Sequence, residues 1–210
     1  MKENQKMKIR NIDGRGFSSN TYILENNSEA FIFDPSAKEN EVARALDEMS
    51  AKPAGIILTH GHFDHTLSLA ALREKYGVPV YIHALDNEML SDSEKNGGKL
   101  LLWREFENAP ADKTFEDGDE LILGEDTVKV IHTPGHTKGS CCFLAGHILI
   151  TGDTLFAQGF GRYDLYGGNG DVLFKSLSSL KKLDGTLKIY PGHGESSTLE
   201  RALAAIGITD

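Results

Sequence analysis

The sequence predicts an α/β protein in which two β-sheets lie face to face with helices on their outer sides. Three observations carry this. Strand-like segments outnumber helix-like ones, the helical patterns fall between strands instead of in a block of their own, and Gly55–Thr59 is the continuous apolar run expected of a buried strand. A length of 210 residues fits one domain, 1–210, with a core large enough to need no disulfide.

Taken in order, Met7–Ile12, Thr21–Glu25 and Ala30–Asp34 read as short strands separated by turn residues. Glu39–Met49 has helical spacing, with Val42, Ala45, Leu46 and Met49 apolar. The buried strand Gly55–Thr59 precedes a helix at Leu67–Tyr76 and a strand at Pro79–His83. Residues 86–119 are the least regular stretch, and their cluster Leu100, Leu101, Leu102, Trp103 and Phe106 suits either a flap or a helix packed on a sheet. Strands return at Glu120–Leu123, Thr127–His132, Ser140–Ala145 and His147–Thr151. A helix at Asp171–Leu183, a strand at Leu187–Tyr190 and a helix at Thr198–Ile206 complete the chain.

Composition narrows the partners. A formal net charge of −9 repels phosphate backbones and anionic lipid, which argues for a small-molecule substrate and against nucleic acid or a membrane. No apolar run is long enough for a membrane span, and no signal-peptide core follows Met1. Cys141 and Cys142 are the only cysteines, and adjacent residues pair poorly, so the expected setting is cytoplasmic and the expected role structural. Composition leaves the oligomeric state open. His83, His132 and His147 sit in strand-like text and suit core or surface roles.

The chemistry is concentrated in His60-Gly61-His62-Phe63-Asp64-His65, directly after a strand. In an extended segment residues i and i+2 point the same way, so His60 and His62 can grip one ion together. A helix beginning near Asp64 would then carry Asp64 and His65 toward a second ion. A plain polar loop is the weaker reading, because imidazoles this close repel when protonated. Three further elements follow, each at the end of an expected strand: His136 in Thr-Pro-Gly-His-Thr, Asp153 in Gly-Asp-Thr and His193 in Pro-Gly-His-Gly.

His60, His62, Asp64, His65, His136, Asp153 and His193, in this order, resemble the metal-binding signature of the metallo-β-lactamase superfamily, over about Thr21–Gly194. The resemblance implies a four-layer αβ/βα sandwich of two mixed sheets flanked by helices, with metals at one rim. It also implies the ligand sets: His60, His62 and His136 on one ion, Asp64, His65 and His193 on the other, and Asp153 on both. The ions implied are two divalent metals, zinc first, with iron or manganese as alternatives.

Gly152-Asp153-Thr154-Leu155-Phe156 and Gly161-Arg162-Tyr163-Asp164-Leu165 resemble the glyoxalase II-like branch and its small single-domain members. That implies hydrolysis of a hydroxyacyl thioester, or of an ester, by a hydroxide that two metals generate at neutral pH, with Asp64 orienting it. Two alternatives stand beside it. One is an iron-dependent persulfide dioxygenase using His60, His136 and Asp153; the other is a non-catalytic binding module of the same fold. Arg162 suits either a substrate carboxylate or an ion pair with Asp164. Phe156 and Phe160 suit either the pocket or the core. Only 17 residues follow His193, and no cationic wall is legible in the sequence, so slow turnover of a glutathione thioester is expected. Tyr166 stands where the branch leads one to expect proline.

Overall fold

The computed structural model of the chain describes residues 7–209. Its first sheet runs in sequence order: β1 (Lys8–Ile12), β2 (Thr21–Asn26), β3 (Glu29–Phe33), β4 (Lys52–Ile57), β5 (Val80–His83) and β6 (Lys113–Phe115). The second also follows sequence order across its width: β7 (Glu120–Leu123), β8 (Asp126–His132), β9 (Cys141–Ala145), β10 (Ile148–Gly152), β11 (Lys188–Pro191) and β12 (Ser197–Thr198). Helices α1 (Glu39–Met49) and α2 (Leu69–Tyr76) cover the first sheet, and α4 (Gly170–Leu180) and α5 (Leu199–Ala205) cover the second. The short α3 (Gly98–Leu102) lies in the irregular stretch.

Side chains that alternate along each strand sort themselves into three apolar layers. Tyr22 and Leu24 of β2, Phe31 and Phe33 of β3, and Phe143 and Ile150 from the opposite sheet meet between the sheets. Ile23, Ile32 and Ile56 point the other way, onto Val42 and Leu46 of α1 and Leu72 of α2. Leu149 and Ile189 likewise pack under Leu173 and Leu177 of α4 and Leu199 and Leu203 of α5. This is the four-layer sandwich, and both sheets are mixed. Cys141 faces the inter-sheet core and Cys142 the helical layer, so the pleat itself keeps the two buried thiols apart.

Strand direction positions the site. β3, β4 and β5 are parallel, so their C-terminal ends share one rim. In the second sheet β8 and β10 are both antiparallel to β9, and β10 is parallel to β11, so β8, β10 and β11 also point one way. A backbone bond from Cys141 N–H to the Thr59 carbonyl, 2.9 Å, joins the two rims.

Three local expectations change. The chain after β4 does not enter a helix at Asp64; it makes one 3-10 turn, Phe63–His65, and α2 begins only at Leu69. Within 86–119, Lys113–Phe115 pairs with β5, and three residues are too few for an alternation to be visible in the sequence. Leu100, Leu101 and Trp103 are 64%, 40% and 89% exposed, so α3 does not pack an apolar face onto a sheet. It is five residues long and ends where Trp103 turns left-handed, at φ 56°. His83 and His132 stack across the sheets, 4.1 Å between centroids and 9° from parallel, away from the histidine cluster. Burial first, then the neighbouring ring, pulls His83 down to about 4. His147 is exposed. No helix among the described residues is long and apolar enough to cross a membrane.

The inter-sheet layer is held by aromatic edges, Phe143 lying 5.2 Å from Phe33 and 5.4 Å from Phe115 by centroid. Phe143→Ala should therefore cost about 3–5 kcal/mol. The check is the urea midpoint at constant m-value, and a loss below about 1 kcal/mol would contradict this packing.

Candidate metal centre

Four strand ends deliver the polar cluster. The segment after β4 carries His60, His62, Asp64 and His65; the loops after β8, β10 and β11 carry His136, Asp153 and His193. All seven meet in three overlapping groups, His60–His62–His136, His60–His65–Asp153 and Asp64–His65–His193, within each of which one polar atom per residue lies inside 4.8 Å of the others. Close approach requires glycine at two positions. Gly152 has φ 47°, and a Cβ there would stand 2.5 Å from Thr59 Oγ1. A Cβ on Gly192 would stand 2.2 Å from Asp153 Oδ1.

Hydrogen bonding decides which nitrogen each ring turns inward. His65 Nδ1–H donates to Asp34 Oδ2 at 2.9 Å. The Thr59 hydroxyl donates to the same carboxylate at 2.8 Å, so its oxygen must accept from His60 Nδ1–H, 3.0 Å away. His136 Nδ1–H donates to the Arg162 carbonyl at 2.6 Å. Each of these three rings therefore presents Nε2 to the cluster. His136 Nε2 stands 2.9 Å from His62 Nδ1 and 3.2 Å from His60 Nε2. Four ligands about 2.0–2.1 Å from a tetrahedral ion stand roughly 3.3 Å from one another, so the spacing suits a shared cation.

The second group is mixed. His193 Nε2 lies 3.1 Å from Asp64 Oδ2 and 3.6 Å from Asp153 Oδ2, and His136 Nε2 is also 3.6 Å from Asp153 Oδ2. Asp153 thus faces both groups. His65 Nε2 and Asp153 Oδ1 are 3.3 Å apart but not aligned for a hydrogen bond. Both atoms are buried without a partner among the described residues, as is His62 Nε2. Orphaned buried atoms are costly in a native structure, and a bound ion is one of the few things that removes the cost.

Burial and charge act against each other here. Burial, then the charges of neighbouring imidazoles, hold His60 well below the usual histidine range, and burial followed by His136 pulls His62 down to about 3. Burial opposes the His65 imidazolium too, but Asp34, Asp153 and Asp64 outweigh it and raise its pKa. Burial opposes the carboxylates of Asp153 and Asp64, yet His65 foremost holds both below the usual range.

Residues not singled out in the sequence complete the rim. Asp34 closes β3 with a left-handed φ of 48°, and its second oxygen accepts Thr59 N–H at 2.8 Å. Asp86, fully buried beyond the end of β5, accepts Gly61 N–H at 3.1 Å, Gly139 N–H at 2.7 Å and the Thr137 hydroxyl at 2.6 Å, fastening the first motif to the His136 loop. Asn20 holds the His193 loop through the Pro191 and Gly194 carbonyls. In each case the available signal was a polar residue at or beside the end of an apolar strand.

A cavity of about 260 Å³ opens over the cluster, walled by Phe17, Phe63, Leu101, Phe156 and Leu165, with Asn96 on one side. Phe156 therefore lines the pocket, whereas Phe160 packs with the α4 layer. Arg162 also lines it, but its guanidinium is engaged with Asp164 at 2.7 and 2.8 Å, and the pair is exposed. Tyr166 donates to Glu88 at 2.7 Å and lies under the ammonium groups of Lys95 and Lys138, clipping the irregular stretch to the Arg162 loop. Cys141 and Cys142 lie outside the pocket, and burial raises both thiols, Cys142 to about 11.

Residues 14–193 match the family model of the metallo-beta-lactamase superfamily. The probable metallo-hydrolase YqgX of Bacillus subtilis is 35% identical over 191 residues, covering 90% of each chain. Among solved structures, BLEG-1 B3 metallo-beta-lactamase superposes with a TM-score of 0.90 at 32% identity, over 97% of this chain and 100% of that one. TTHA1623 in a di-iron-bound form gives 0.81 at 30% identity, over 91% and 96%.

Asp34 is the test of the orientation scheme. In Asp34→Asn one of the two acceptor oxygens becomes a donor, which sets an N–H against Thr59 or His65. The expected result is a loss of about 2 kcal/mol in stability and a lower His65 pKa in a histidine NMR titration. An unchanged His65 titration would refute the assignment.

Proposed function

The chain belongs to the metallo-β-lactamase superfamily, and we propose that it is a metal-dependent hydrolase of thioesters or esters, similar to the glyoxalase II-like branch. The observation that carries this reading is the group of converging nitrogen and carboxylate atoms, two of which, His65 Nε2 and Asp153 Oδ1, are buried and unpartnered among the described residues. In this reading His60, His62 and His136 would hold one divalent ion, Asp64, His65 and His193 would hold a second, and Asp153 would serve both. Two such ions supply, when bound, activation of a water and polarisation of the scissile carbonyl at neutral pH. Zinc suits the nitrogen-rich set, and iron and manganese are the alternatives.

The chain's own groups do the rest. Asp34 and the Arg162 carbonyl keep the imidazole lone pairs directed inward, so no reorganisation is needed on loading. Asp64 lines the pocket and stays ionised beside His65 and His193, which suits it to orient the attacking water and accept its proton. The water oxygen bonds to the carbonyl carbon, the C–S or C–O bond breaks, and the proton ends on the leaving thiol or alcohol. Phe17, Phe63 and Phe156 keep bulk water from the acyl group, and Asn96 and Leu101 make residues 86–119 a covering wall.

A second reading rests on the closeness of His60, His136 and Asp153, with His136 Nε2 3.2 Å from His60 and 3.6 Å from Asp153: an iron-dependent persulfide dioxygenase. Metal analysis of protein purified without chelator separates the two. Two ions per chain and turnover of thioesters or esters support the hydrolase. One iron per chain with oxygen uptake on glutathione persulfide supports the dioxygenase. A β-lactam belongs in the same panel because of the BLEG-1 relative. Asp153→Asn, which keeps the shape and removes the shared charge, should lower occupancy at both positions and reduce activity by at least about a hundredfold. Two ions bound as tightly as in the parent would defeat the bridging role.

A further inference from the structure

A second cavity, of about 560 Å³, lies beside the one over the cluster and shares the walls Phe17 and Phe63 with it. Phe63 is buried and packs on Phe106 at 4.9 Å, so the wall that the two cavities share is apolar. The lining also carries Arg15, Lys38 and Arg104. They come from three separate segments: the turn after β1, the residue before α1 and the loop after α3. Among the described residues none of the three side chains has an ion-pair partner, although Arg10, Arg44, Arg73, Lys75, Lys95 and Lys99 all do. Two carboxylates share the lining, Asp13 and Glu41; they accept bonds from the Asn11 amide and the Lys38 backbone N–H, and among the described residues no ion pair joins either of them to the three cations. The lining thus sets three cations against two carboxylates, a local cationic excess in a chain whose formal net charge is −9.

We infer that this groove binds the anionic end of the substrate's leaving group, so that the preferred substrate is an acyl thioester or ester whose thiol or alcohol arm is apolar in the middle and carries a carboxylate or phosphate at its far end. The inference rests on the hydrolase reading for the acyl end only. An acyl group over the cluster places the arm along Phe17 and Phe63 and its terminus among Arg15, Lys38 and Arg104. The cationic wall that the sequence does not reveal is thus assembled by folding, and an anionic thiol becomes an advantage instead of a handicap. Guanidinium groups suit either terminal anion because their paired N–H donors match carboxylate and phosphate oxygens.

The test compares thioesters of one acyl group on three thiols: neutral N-acetylcysteamine, glutathione with its carboxylates, and phosphate-terminated pantetheine. The parent enzyme, metal-loaded, should show a kcat/KM at least about tenfold higher for one anionic thiol than for the neutral one, falling with added salt. In Arg15→Gln/Lys38→Gln/Arg104→Gln that ratio should drop about tenfold, through KM more than kcat, and whichever anionic thiol loses more identifies the terminal group. A ratio unchanged in a variant of parental thermal midpoint overturns the proposal. Calorimetry with uncleavable thioether analogues of the same thiols separates this from the hydrolase reading. If no thioester turns over, tighter binding of an anionic thioether that the triple substitution abolishes still supports the groove, and equal binding by parent and variant refutes it.

Discussion

Crowding five histidines and two aspartates at one rim, four of the rings buried, is tolerable only if the rings are told which nitrogen to turn inward, and the Asp34 carboxylate does most of this. It accepts from His65 directly and from the Thr59 hydroxyl, which is then obliged to accept from His60. One buried charge thereby sets two rings, and the Arg162 carbonyl sets a third. Without these outer bonds the cluster would hold protons between its rings or expose them to water. With them it presents a concentrated set of lone pairs and negative charge, suited to cations.

The scaffold supplies what such a cluster needs, which is rigidity on every side. Asp34 and Asp86 lie at or beyond the ends of the parallel strands β3 and β5, flanking the motif that follows β4. The same strands anchor the inter-sheet aromatic layer, in which Phe33, one residue before Asp34, meets Phe143 of the facing sheet. Packing and site geometry are therefore joined covalently. A shift of the sheets against each other would move Asp34 relative to the loops of His136, Asp153 and His193.

The polar cluster and the pocket wall draw on different parts of this surface. The polar cluster sits on strand ends that the fold holds closely, while the pocket wall draws on the turn after β1 and on residues 86–119, where side chains such as Phe17, Leu101 and Trp103 remain exposed. Loops of this kind can change their side chains without disturbing the rim. That division also places Arg162 in context: the residue contributes to the centre through its backbone carbonyl, while its guanidinium is occupied by Asp164.

The sequence by itself determined the layers and the seven polar residues of the rim, because both are written locally. Short apolar runs between turn residues specify buried strands such as β2 and β9, helical spacing specifies α1 to the residue, and the motif His60–His65 carries its chemistry in consecutive positions. What only the tertiary structure decided depends on contacts between distant segments. Asp34 and Asp86 look like ordinary acids near strand ends until folding buries them against Thr59, His65, Gly61 and Gly139. The 3-10 turn at Phe63–His65 replaces a helix because Asn96 and the Ser36 region hold its backbone, with Phe63 N–H bonded to the Asn96 carbonyl at 3.1 Å and Ser36 to the Asp64 carbonyl. Arg15, Lys38 and Arg104 are scattered over 90 positions of an acidic chain and form one wall only when β1, α1 and α3 converge. Spacing along a strand or helix is a short-range property that residue order fixes, whereas burial and charge neighbourhood are set by which segments the two sheets bring together.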